Sequence, residues 1–180
     1  MHRFWMIAAL ALALAAPAAA QAEEYSFDVD AKFVNITFLS EMDVEDILGT
    51  SNQLSGNADL TRGTCKLVVP VASLKTGIDM RDEHLRSEMW LDAGHYPNLV
   101  FEGTKLEDLG GGKARITGTF QARGKTTDLA FVVDLRKIPA AKAAAIGLGE
   151  GNWIRVRGTF TLKLSDFGIQ VPSMAAAKVS

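Results

Sequence analysis

Cysteine is nearly absent from this chain: Cys65 is the only one in 180 residues. A single thiol closes no internal disulfide and supplies no cysteine pair to a metal. Positive charge is not in excess either. Nineteen Lys and Arg stand against 21 Asp and Glu, for a formal net charge of −2. That balance gives no electrostatic reason to expect nucleic acid, which calls for clustered cations. Histidine is scarce, with three in the chain, which leaves little material for an imidazole metal site. Long apolar runs are missing as well, apart from one at the N-terminus.

That run sets the expected compartment. Met1-His-Arg-Phe-Trp-Met is a short, positively charged start, Ile7 to Ala20 is unbroken apolar sequence, and Ala20-Gln21-Ala22 has the small-x-small form of a cleavage site. Residues 1–22 therefore read as a secretory signal peptide, removed near Ala22, with the protein periplasmic or secreted. The alternative is an N-terminal membrane anchor, but the run falls short of the ~20 residues a span needs. Residues 23–180 then form one domain.

Most of that domain reads as β-strand. Tyr25, Phe27 and Val29 alternate with polar residues, and Phe33 to Leu39 continues the pattern with Ile36 and Phe38 on one face. Glu41 to Ile47 carries four acidic residues, and Gly49 to Gln53 reads as a loop. Leu54 to Leu60 is a weaker strand. Cys65 to Leu74 is a strong one, with Leu67, Val69 and Val71 on one face, where Pro70 argues for a bulge or a sheet edge. Cys65 in this run is read as a buried, inert thiol. A strand from Leu99 and Phe101 to about Glu107 precedes a glycine turn at Leu109 to Lys113. Ala114 to Arg123 and Thr126 to Leu135 form a hairpin, with Phe120 on the first arm and Leu129, Phe131, Val133 and Leu135 facing one way on the second. Pro139 to Ile146 suits a short helix or loop, with Pro139 at a first helical position. Ile154, Val156, Gly158, Phe160, Leu162 and Leu164 then line one face of a last strand. About seven or eight strands with few helices mean a sandwich or a barrel.

Between these strands lies a charged stretch, Asp79 to Asp92, followed by Ala93 to Phe101. It predicts a helix over about Arg81 to Leu91, capped by Asp79 or Asp82. Leu85 and Met89 share a face there, with Trp90 beside them. Asp79, Asp82, Glu83, His84 and His95 are the residue types of a zinc site or an acid–base pair. Their spacing argues against one. His84 has no partner histidine three to five residues away, and the two histidines straddle the expected helix end. The plainer reading is a solvated or salt-bridged face. Asp166-Phe-Gly168 matches a kinase magnesium tripeptide without any other kinase element, so it reads as a turn. The sequence predicts no catalytic residue, metal or cofactor.

The same stretch carries a resemblance. Arg81-Asp-Glu-His-Leu-Arg-Ser-Glu-Met-Trp-Leu-Asp92 with Tyr96-Pro-Asn-Leu-Val-Phe101 is similar to the YceI family of periplasmic polyisoprenoid-binding proteins. Val71-Ala-Ser-Leu-Lys-Thr-Gly77, Gly118, Gly124-Lys125-Thr126 and Ser165-Asp-Phe-Gly168 agree with it. The resemblance implies an extended, lipocalin-like antiparallel β-barrel with one or two short helices, and no catalysis. It implies that a soluble periplasmic protein sequesters or carries a polyisoprenoid or isoprenoid quinone in an apolar cavity, with transient membrane contact and an oligomeric state left open, a homodimer included. Members continue past Lys178-Val179 into one more strand, so this chain is expected to lack the family's last one. Cavity lining is expected from Ile36, Phe38, Leu67, Val69, Phe101, Phe120, Leu129, Phe131, Val156 and Phe160, with Leu85, Met89 and Trp90 plugging or gating one end. The alternative is a filled barrel acting as a non-catalytic stress-related or interaction module, which differs in having bulky side chains throughout its interior.

Overall fold

The computed structural model describes residues 23–27, 33–40 and 46–170. The expected leader, most of the acidic segment from Glu41 and the question of a missing last strand fall outside them.

Alternation of apolar and polar residues builds β1 (Glu24–Phe27), β2 (Ile36–Ser40), β3 (Ile47–Ser51), β4 (Ser55–Asp59), β5 (Thr64–Pro70), β6 (Asn98–Gly110), β7 (Lys113–Ala122), β8 (Lys125–Ile138) and β9 (Trp153–Gly158). Two short helices interrupt them, α1 (Asp79–Arg86) and α2 (Ala140–Ala145). Seven strands form one antiparallel sheet in the order β1-β4-β5-β6-β7-β8-β9, and β2 with β3 makes a separate hairpin. The sheet curls into a nearly closed barrel. Glu23, next to β1, pairs with Lys137 on β8, and the Phe33 ring meets Trp153 on β9 edge-on at 6.2 Å, so the two sheet ends approach each other.

Register fixes which side chains face in. Leu67 lies opposite Phe101, and Phe101 opposite Phe120. Ile116 lies opposite Phe131, and Leu135 opposite Val156. A bulge between Gly103 and Lys105 shifts the phase of β6 so that Leu106 still meets Ile116. Gly118 is required beside it: a Cβ there would stand 2.1 Å from the Glu102 carbonyl oxygen.

Several boundaries differ from the sequence reading. β3 occupies part of the expected loop, because its polar Gly49, Thr50 and Ser51 find backbone partners in Phe38, Thr37 and Ile36. Pro70 does not bulge; it sits at a local edge, where β5 runs past the end of β4 and pairs with Asn98 of β6 alone. It ends β5, having no N–H to extend the ladder, and Val71 starts a 3-10 turn while its N–H bonds to Pro97 O. α1 starts two residues earlier than expected and stops at Arg86, where Ser87 turns extended and its hydroxyl and N–H both bond to His84 O. Asp82 caps nothing, and Pro139 precedes α2 instead of starting it. β9 ends at Gly158, so Phe160, Leu162 and Leu164 lie beyond the ladder, where ring packing replaces hydrogen bonding.

The core sits at one end of the barrel. Phe101, Phe120, Ala122, Phe167 and Ile169 are buried together there. Truncating the central ring, Phe120→Ala, is expected to cost about 3–5 kcal/mol in urea unfolding. Met89→Ala, at a side chain 65% exposed, is expected to stay within about 0.5 kcal/mol.

Candidate functional site

Five phenylalanines from different segments meet at this end. Phe101 packs on Phe131 at 5.4 Å between ring centroids, Phe131 on Phe160 at 4.8 Å, Phe120 on Phe160 at 6.0 Å and Phe120 on Phe167 at 5.8 Å. Trp90 and Leu91, in the turns after α1, pack against the same cluster with Leu67, Leu129 and Leu162. Arg123, in the β7–β8 turn, clasps the assembly. One guanidinium nitrogen donates to Gly168 O and another to Glu88 O, both at 2.8 Å. Tyr96 lies on the neighbouring Gly124, where a Cβ would come within 2.5 Å of its ring and φ is +69°. Gly168 closes its 3-10 turn in the left-handed region, which holds Phe167 in the core at 2% exposed.

The charged stretch is anchored by Asp82, only 2% exposed. Its carboxylate accepts the Thr76 N–H and the Thr76 hydroxyl, each at 2.7 Å, and Lys75 Nζ stands 3.6 Å away. The Thr76 hydroxyl bond above all holds its pKa below the ordinary carboxylate value, aided by the Thr76 amide and the charges of Lys75 and Arg86 and opposed by burial. Lys75 exchanges two backbone hydrogen bonds with Thr50, at 2.7 and 2.9 Å, which ties α1 to β3. Ser73 donates its hydroxyl to Pro70 O at 2.6 Å, so Ser51, 2.7 Å from Ser73, donates to Ser73. The β2–β3 hairpin is thus docked onto the barrel by polar contacts.

Nearly all the distinctive sequence motifs converge on these contacts. The YceI-like domain model matches residues 25–180, which is most of the chain. This chain belongs to the YceI-like family. A UPF0312 protein of Vibrio parahaemolyticus is 31% identical over 172 residues, covering 90% of this chain and 86% of that protein. The crystal structure of BcnA from Burkholderia cenocepacia superposes with a TM-score of 0.64 at 20% identity, covering 81% of this chain and 86% of that one, and so shares the fold. A polyisoprenoid-binding domain from Saccharophagus degradans, described as implicated in plant cell wall breakdown, gives 0.47 at 20% identity over 72% of this chain and 90% of its own. A superposition that loose carries no argument.

In this YceI-like chain the residues expected to line a cavity fall into three groups. Phe101 and Phe120 are buried in the ring cluster. Leu67, Val69, Leu129 and Phe131 face inward but stay half-buried, and Val156 and Phe160 are 39% and 41% exposed. Ile36 and Phe38 are half-buried on the separate hairpin, on the face shared with Ser51 and Gly49. The expected gate divides: Trp90 joins the cluster and Leu85 is half-buried on α1, while Met89 points to solvent. Helical spacing does not apply to Met89, because α1 ends before it; Leu91 occupies the inward position instead.

The residues weighed for catalysis do not gather. Asp82 is committed to Thr76, whereas Asp79, Glu83 and His84 are exposed on α1. His95 pairs with Asp92 at 2.9 Å at the surface, and that hydrogen bond raises the imidazole pKa. Among the described residues no three His, Cys, Asp or Glu side chains are placed to hold a metal. Burial pushes the Cys65 thiol up, away from the reactive thiolate. Two hollows, of about 330 and 360 Å³, are lined mostly by polar residues, one at Asn35, Ser51, Ser73 and Lys75, the other over Asn57, Asp59, Lys66 and Glu102.

The Arg123 clasp and the Thr76–Asp82 pair escaped the sequence reading. The glycine beside Arg123 was the one available signal for the first; nothing in the spacing marks the second. Because the Asp82 carboxyl sits below its unfolded value of about 3.9, its stabilisation is complete above about pH 4 and is lost as pH falls through the folded-state value. Asp82→Asn is expected to lower stability at pH 7 by about 1–3 kcal/mol and to flatten the acid limb of a stability–pH curve. An acid limb unchanged by the substitution would contradict the assignment.

Proposed function

We propose that this protein binds an isoprenoid lipid, the tail of a quinone or a polyprenyl chain, along the inner face of its barrel, and that it does so outside the cytoplasm once residues 1–22 are removed. One observation carries the reading: Val69 and Leu135 face inward, are apolar and remain half-buried outside the ring cluster, and Val156, paired with Leu135, is 39% exposed. An apolar chain laid along them removes that surface from water, at about 0.8 kcal/mol for each buried methylene. The resemblance of the motifs over residues 81–92 and 96–101 to polyisoprenoid-binding proteins supports the ligand class, and the leader-like N-terminus supports the compartment. The reading assigns no side chain to catalysis and calls for no metal or cofactor.

A second reading has its own support. The five-ring cluster fills one end of the barrel, and neither of the two hollows follows the apolar face. On that reading the barrel is a filled scaffold for protein contacts.

Titration separates the two. The purified protein is expected to bind a short-chain ubiquinone and a polyprenol, with saturation read by tryptophan fluorescence. Val156→Glu is expected to weaken both by at least about tenfold, the effect of placing a carboxylate against an apolar ligand, without changing the far-ultraviolet circular dichroism. No uptake of either lipid by the unaltered protein would favour the filled scaffold.

A further inference from the structure

The outer face of β8 and β9 carries side chains in rows that register makes explicit. Ile138 lies opposite Trp153, Arg136 opposite Arg155, and Asp134 opposite Arg157. Like charges directly across a ladder repel, so the Arg136–Arg155 row works against the sheet that displays it. Among the described residues no carboxylate relieves it. Asp134 is drawn to Lys113 on the other side, at 3.4 Å, and Arg136, Arg155 and Arg157 are all exposed without an ion pair.

The neighbouring row is aromatic. Trp153 is held by its indole N–H on Glu150 O and touches Phe33, which is 66% exposed. Ile146, 58% exposed, ends α2 in the connection that joins the same two strands. Three arginines without an ion pair among the described residues therefore lie on β8 and β9, the strands joined by the connection that ends α2 at Ile146, and β9 also carries Trp153, which Phe33 touches. Cations attract an anionic headgroup layer, and tryptophan and phenylalanine settle at its boundary with the acyl chains.

We infer that this face docks on an anionic lipid bilayer, with Arg136, Arg155 and Arg157 meeting the headgroups and Phe33 and Trp153 entering the interface. The charge complementarity is what fixes the occupant. The inference stands apart from what the inner face binds, since these side chains are on the outside of the sheet.

Vesicle sedimentation tests it, with the protein recovered from cells expressing the full chain and its N-terminus read by mass spectrometry. Binding to vesicles of phosphatidylcholine with phosphatidylglycerol is expected, with little to phosphatidylcholine alone. It should weaken about fivefold for each arginine removed, hence about 25-fold for Arg136→Ala with Arg155→Ala, and fade as salt screens the charges. Brominated lipids should quench fluorescence that Trp153→Phe abolishes. Arg155→Glu separates docking from folding: it is expected to raise the melting temperature of the free protein by relieving the cross-strand repulsion while lowering vesicle binding. Equal binding to both vesicle types, or binding indifferent to the arginine substitutions, would overturn the inference. So would salt-sensitive retention on polyglutamate with no gain on phosphatidylglycerol vesicles, which would assign the face to an acidic protein.

Discussion

A curled antiparallel sheet must cover its concave apolar face, and in this protein five phenylalanine rings do so at one end. Phe101, Phe120 and Phe131 come from three neighbouring strands, while Phe160 and Phe167 come from the chain beyond the last one. Aromatic pairs at these separations add about 0.5–1.5 kcal/mol each beyond the area they bury. The rest of the architecture is arranged to keep that plug in place. The Arg123 clasp holds the segments on either side of it, Tyr96 packs against the turn that carries Arg123, and Trp90 closes over the rings. Farther along the same concave face nothing comparable among the described residues covers Leu135 or Val156, and the proposed ligand site rests on that difference between the two ends.

Seen this way, the charge of the stretch from Asp79 to Asp92 is structural. A buried carboxylate is costly unless donors surround it, and Asp82 has the Thr76 amide, the Thr76 hydroxyl and the Lys75 ammonium. That arrangement fixes α1 against the connection leaving β5, and through Lys75 and Thr50 it draws in the β2–β3 hairpin. A motif that resembles chemistry by composition acts, through Asp82, as a fastening.

The period-two pattern made the fold legible. Leu129, Phe131, Val133 and Leu135 share the inner face as their spacing requires, and the β7–β8 hairpin turns where Gly124 allows. Polar and local features were harder to read. β3 was hidden because Thr50 and Ser51 contribute pairing and docking hydrogen bonds without apolar alternation. The end of α1 was hidden because Leu85 and Met89 keep helical spacing across the break that Ser87 makes. Asp82 could not be told from its exposed neighbours, since burial of one carboxylate in a charged run depends on a threonine six residues away. Phe167 read as part of a turn, which it is; that the turn delivers its ring to the core follows only from three dimensions.

The central claim is that the inner face holds an isoprenoid chain. Native mass spectrometry of the protein taken directly from its cells tests it most directly, followed by organic extraction to identify what is released. The account predicts a bound species whose mass and fragments belong to a quinone or polyprenyl lipid and whose removal leaves the folded protein behind. Repeated recovery of protein at its bare mass, or carrying only detergent or buffer molecules, would contradict it.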